Sequence, residues 1–163
     1  MKKYIYIMSL AIGLIAASCR KEYKEIGENP SKIDGITASW SLHSCQVIDK
    51  AATVEETIDI TPFFTRTTRL PNITFAMNGG TGTYTCDTSN VAYAFFGSTS
   101  GTWTFDNAEF PQKVMLTPAG ATTALEFPLA ATIRPTDTYL QIDKNVWCGG
   151  AIKSVYRLSF IRN

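Results

Sequence analysis

Asn72-Ile73-Thr74-Phe75-Ala76-Met77-Asn78-Gly79-Gly80 is the stretch that decides the fold class. Ile73, Phe75 and Met77 alternate with Asn72, Thr74 and Ala76. That period of two sends one set of side chains to each face of a strand. Asn78-Gly79-Gly80 then supplies the turn residues of a hairpin. The same pattern recurs in both directions along the chain. Trp40 and Leu42 alternate with Ser41 and His43. Trp103 and Phe105 alternate with Thr102, Thr104 and Asp106. Leu125, Phe127, Leu129, Ala131 and Ile133 alternate with Glu126, Pro128, Ala130 and Thr132. Ile152, Tyr156, Leu158 and Phe160 share one face, and Lys153, Arg157 and Ser159 share the other. Breaks fall at Gly97 to Gly101, Pro118-Ala119-Gly120, Pro135-Thr136-Asp137 and Cys148-Gly149-Gly150. One helical turn is expected at Asp59 to Phe64, with Thr61 as cap and Pro62 at the first helical position.

Eight or nine short strands at this spacing predict an all-β, small antiparallel up-and-down barrel of about eight strands. The first strand, roughly residues 36–48, and the last, roughly 152–161, are long. Left unpaired they would expose two edges; pairing with each other in a closed barrel removes both. Threonine and aromatic residues are abundant, which favours strands over helices.

Before the domain comes a targeting signal. Lys2 and Lys3 precede an uncharged apolar run, Ile5 to Ile15, and Ala16-Ala17-Ser18 lead directly to Cys19. The run is shorter than the roughly 20 residues of a membrane-spanning helix and suits a secretory signal. The reading is a lipoprotein signal peptide at 1–18, a lipidated Cys19 with a flexible tether at 19–33, and a barrel domain at 34–163. An uncleaved anchor and an unlipidated signal are the alternatives. The localisation expected is the cell envelope, lipid-anchored to the outer membrane, on its periplasmic or its surface-exposed face.

Several residues also resemble a family. Gly35 followed by Trp40 looks like the opening of lipocalin-like domains, with a wider spacing than their Gly-x-Trp. Gly101-Thr102-Trp103-Thr104-Phe105-Asp106 resembles the mid-barrel strand of lipocalin-like lipoproteins of unknown function from Gram-negative gut bacteria. Asp59-Ile60-Thr61 and Tyr156-Arg157-Leu158-Ser159-Phe160 are similar to further segments of those chains. The resemblance implies a small lipocalin-like barrel and no activity.

Composition and motifs restrict the chemistry. Without Lys2 and Lys3 the formal charge moves from +1 to −1, which gives no electrostatic case for nucleic acid. His43 is the single histidine and is expected to point outward. No Gly-x-Ser-x-Gly elbow occurs, and Gly79-Gly80-Thr81-Gly82 lacks the lysine of a phosphate loop. We therefore expect no enzyme, no catalytic residue, no cofactor and no metal site. An eight-stranded barrel can hold one small ligand or fill itself with side chains. Trp40, Phe75, Tyr93, Phe95, Trp103, Phe105 and Tyr156 are the candidate inward aromatics that would line a pocket. Phe96, Tyr139 and Trp147 are candidate exposed rings for stacking on a glycan. Two functions stand open: binding of a small apolar or amphipathic ligand, or a filled barrel that docks a protein or glycan partner.

Of four cysteines, Cys45, Cys86 and Cys148 remain once Cys19 is lipidated. Adjacent first and last strands would set the end of one beside the start of the other. Cys45 and Cys148 are on that ground the expected disulfide pair, with Cys86 and Cys148, or no bridge, as rivals.

Overall fold

The structure, a computed structural model, describes residues 30–64, 71–87 and 92–163. The signal segment, Cys19 and the tether up to residue 29 lie outside the described residues. Nine antiparallel strands are described: β1 (Ala38–Asp49), β2 (Glu56–Asp59), β3 (Asn72–Asn78), β4 (Thr81–Cys86), β5 (Ser100–Phe105), β6 (Lys113–Pro118), β7 (Leu125–Pro128), β8 (Tyr139–Cys148) and β9 (Ala151–Arg162). The helical pieces are α1 (Lys32–Ile36), α2 (Thr61–Phe64) and one π-helical turn, Ala92–Phe96.

The strand order β7-β6-β5-β4-β3-β1-β9-β8 is that of an up-and-down meander. β1 pairs with β9 from Trp40↔Arg162 to Asp49↔Ser154, so the two long terminal strands close on each other as the edge argument requires. β7 meets β8 at the Leu129↔Ile142 bridge, which brings the eight-stranded path round to a nearly closed barrel. β2 stands off this path. It pairs with Gln46–Asp49 of β1, on the same edge that gives Ala38–Ser41 to β3.

Period two does what the sequence implies. Ile73, Phe75, Trp103, Val114, Leu116, Phe127, Leu140, Ile142, Leu158 and Phe160 are all buried in one core. Burial of such side chains contributes about 1.5–3 kcal/mol each relative to exposure. Leu125 to Ile133 is a departure. The strand ends at Pro128, Ala131 is exposed, and Ile133 is buried in the β7–β8 connection against Gly35.

The two barrel ends differ. α1, both chain ends of the domain, the β3–β4 turn and the β7–β8 connection lie at one end. Here the Trp40 Nε1–H donates to Ile36 O at 2.8 Å, and the Arg162 guanidinium lies over the Trp40 ring at 5.1 Å. Arg162 also donates to Pro135 O at 2.5 Å and Gly35 O at 2.9 Å. One cation thereby ties α1, the β7–β8 connection and β9 into a closed end. At the other end stand the β1–β2 and β8–β9 turns, α2 and the π-helical turn. Among the described residues this is the open end.

Candidate functional site

The expected barrel-wide pocket is not there. Trp40, Phe75 and Trp103 are buried, and Phe105 is half-buried beside them. Phe75 and Trp103 meet edge to face at 5.9 Å, and Trp103 and Phe105 at 5.3 Å. The Trp103 indole N–H donates to Ala76 O at 3.2 Å. These four candidates fill the closed half of the barrel instead of lining a cavity.

The π-helical turn plugs the other half. Residues 92–96 read as a strand would place Tyr93 and Phe95 inward and Phe96 outward. A helical turn puts neighbours 95 and 96 on one side, so Phe95 and Phe96 are both buried and Tyr93 is 65% exposed. Tyr93 is thus no pocket residue, and Phe96 is no exposed ring for a glycan. Phe96 packs on Phe127 at 5.5 Å and Tyr84 at 6.4 Å. Phe95 packs on Phe64 at 5.5 Å and Tyr156 at 5.6 Å. Tyr139 and Trp147 are exposed on β8, eight residues apart, so roughly 27 Å separates them and they form no common patch.

Above the plug lies a cavity of about 450 Å³. Its floor is Phe95 with Tyr156, and Ile60, Phe63 and Phe64 make one wall. Lys144 and Val146 of β8 make the other. Of the seven candidate ligand residues, Phe95 and Tyr156 alone line it. The wall from α2 is held by side-chain capping. The Asp59 carboxylate accepts from the Thr61 backbone N–H at 2.9 Å and its hydroxyl at 2.5 Å, which holds Asp59 below the usual carboxylate range. Thr61 Oγ1 accepts from Cys45 N–H at 2.9 Å. Thr61 is the first residue of the turn, and Asp59 supplies the capping contact that Thr61 was expected to make.

Lys144 is the charged member of this wall. It pairs across from Tyr156 and shares its parity with Leu140 and Ile142, so it faces inward. Its ammonium donates to Phe95 O at 2.6 Å and to Ala94 O at 3.4 Å. Burial pushes its pKa below the ordinary lysine value. Lys144, Ile60, Phe64 and Val146 went unnoticed in the sequence. The signal was present for the lysine: Leu140, Ile142 and Val146 frame it on one face of a strand.

The cysteine pairing is corrected. Cys45 and Cys148 are each free thiols. Cys45 is buried opposite Leu158, whereas Cys148 is exposed opposite Ala151 at the hairpin tip. Seven residues of β9 separate those partners, roughly 24 Å of strand, far beyond the reach of a disulfide. β1 continues to Asp49, so Cys45 sits mid-strand and not at its end. Cys86 is also buried. His43 is exposed at the bulge where the β1–β9 register shifts between Leu42 and Ser44.

Among the described residues, no group of His, Cys, Asp and Glu is arranged to hold a metal ion, and no helix is long and apolar enough to cross a membrane. No family model, curated protein or solved structure matches this chain.

Proposed function

We propose that this protein is a lipocalin-like lipoprotein of the bacterial cell envelope that binds, without catalysis, a small apolar or amphipathic ligand at the open end of its barrel. The observation that carries this reading is the cavity of about 450 Å³ lined mainly by Ile60, Phe63, Phe64, Phe95, Val146 and Tyr156. Its volume lies within the range of small-molecule sites, and a mainly apolar lining with one charged group is their usual chemistry. The lipid anchor at Cys19 is part of the same proposal. The domain begins beside the closed end, so a tether from an acylated Cys19 would leave the open end directed away from the anchoring membrane.

Val146 is 38% exposed at the rim, so a larger side chain there fills the cavity without disturbing the core. Titration of the full chain with the fluorescent probe N-phenyl-1-naphthylamine should give saturable binding that Val146→Trp abolishes while melting temperature is kept. Unsaturable binding, or binding unaffected by Val146→Trp, rejects the mouth as the site. The filled closed half of the barrel favours the second reading, a docking lipoprotein, if no probe enters. Incorporation of labelled palmitate that is lost in Cys19→Ala tests the anchor.

A further inference from the structure

We propose that the open-end cavity selects amphipathic carboxylates, with the carboxylate of the ligand seated on Lys144 and its apolar body lying against Phe95, Phe64 and Tyr156. This deepens, and rests on, the reading of that cavity as a ligand site.

The position of Lys144 carries the argument. Inward positions of β8 nearer the closed end hold Leu140 and Ile142, both buried apolar residues. A lysine in the next inward position places a cation in an apolar wall, where its charged form is less well solvated. Such a group is expected to be paired, and Lys144 has no carboxylate partner among the described residues. The carboxylates nearest along the sheet are committed elsewhere. Asp143 has the opposite parity and takes a two-pronged ion pair from Arg157, at 3.0 and 2.9 Å. Glu126 is held by Lys113 at 2.6 Å.

Two carbonyl oxygens, Phe95 O and Ala94 O, fix the direction of the ammonium. An ammonium has three protons to donate, so one remains for a ligand. The carbonyls carry partial negative charge and no net charge, so among the described residues the cation of this wall is uncompensated. A carboxylate seated there supplies the missing charge with a charge-assisted hydrogen bond.

Lys144 also lines a second cavity, of about 300 Å³, in the gap between β7 and β8. Those strands diverge above the Leu129↔Ile142 bridge. Leu125, Asn145 and Trp147 line the gap with it, together with the Lys113–Glu126 ion pair, whose charges offset each other. The lysine therefore stands where the apolar mouth meets a side opening to solvent. A head group there keeps contact with water while the tail lies in the mouth. The lowered proton affinity of Lys144 fits a cation whose partner is the ligand.

The test compares dodecanoate, dodecanol and dodecyltrimethylammonium by calorimetric titration of the full chain, the two ions below their micelle concentrations and the alcohol below its solubility limit. We expect dodecanoate to bind at least tenfold more tightly than the other two. Lys144→Met should erase that preference, and Lys144→Arg should keep it, with both variants melting cooperatively. Equal binding of dodecanoate and dodecanol, both abolished by Val146→Trp, overturns the carboxylate assignment and leaves the cavity as a ligand site. A preference that survives Lys144→Met also overturns it. No binding of any of the three removes the ligand reading itself, and this proposal with it.

Discussion

At the scale of single residues, the core of this barrel holds groups that titrate out of range. Burial, and secondarily the Asp59 carboxylate, pushes the Cys45 thiol up to about 12 from 9.0. Burial, and secondarily Cys86, pushes the Tyr84 phenol up to about 12 from 10.0. In the unfolded chain both groups ionise near their ordinary values, so the unfolded state loses protons first as pH rises. Their contribution to stability is whole below pH 9.0 and is lost between there and about 12. Urea unfolding followed from pH 7 to 11 should therefore show stability falling above pH 9. Cys45→Val should flatten the first part of that fall; an unchanged slope in this variant would mean the thiol ionises equally in both states. Lys144 carries the opposite sign. Its lowered pKa makes its burial a cost at neutral pH, relieved as pH rises through its folded value toward the ordinary 10.5.

At the scale of elements, the central strands work because glycines make room for rings. A Cβ on Gly101 would fall 2.1 Å from Thr117 O and 2.7 Å from the Tyr84 ring. A Cβ on Gly82 would fall 2.4 Å from Trp103 O and 2.8 Å from its indole. Neither backbone oxygen can retreat without breaking the ladder, in which Tyr84 pairs with Gly101 and Gly82 with Trp103. Gly101→Ala should destabilise by roughly 2–3 kcal/mol, measured as a shift of the urea midpoint at constant slope. A variant that unfolds with the parent would show the β5–β6 spacing to be looser than described. The Gly101-Thr102-Trp103 run drew notice in the sequence as a resemblance; in the fold it is a packing device. The π-helical turn teaches the converse. Tyr93-Ala94-Phe95-Phe96 has strand-like composition, and alternation gave Phe95 its correct side. It misplaced both Tyr93 and Phe96, because the turn is fixed by the aromatic cavity it plugs and not by local propensity.

At the scale of the whole molecule, the barrel has one strong seam and one weak one. β1 and β9 are both twelve residues long and pair over most of that length. β7 has four residues and meets β8 through a single bridge. Local opening follows the sparsest hydrogen bonding, so those amides of 143–147 and 125–127 that face the β7–β8 gap, and not those bonded to β9 or β6, should exchange with deuterium faster than those of the β1–β9 pair. Equal protection on both seams would refute the split, and with it the side opening beside Lys144. What the sequence by itself determined is the class of the fold and its closure. Period two, turn residues and two long terminal strands are local signals, and the need to remove sheet edges leaves few ways to join them. Trp40, Phe75 and Trp103 were legible as core for the same reason. Only the tertiary structure decided where space remains. Whether a ring lines a cavity or fills it depends on what stands opposite, and that is set by the joint volume of side chains far apart in sequence. Phe64, Phe95, Lys144 and Tyr156 come from four segments, and their meeting at the open end follows from strand register and from the plug. The cysteines obey the same logic. The roughly 24 Å between Cys45 and Cys148 came from the length of β1 and β9, which only the paired register fixes.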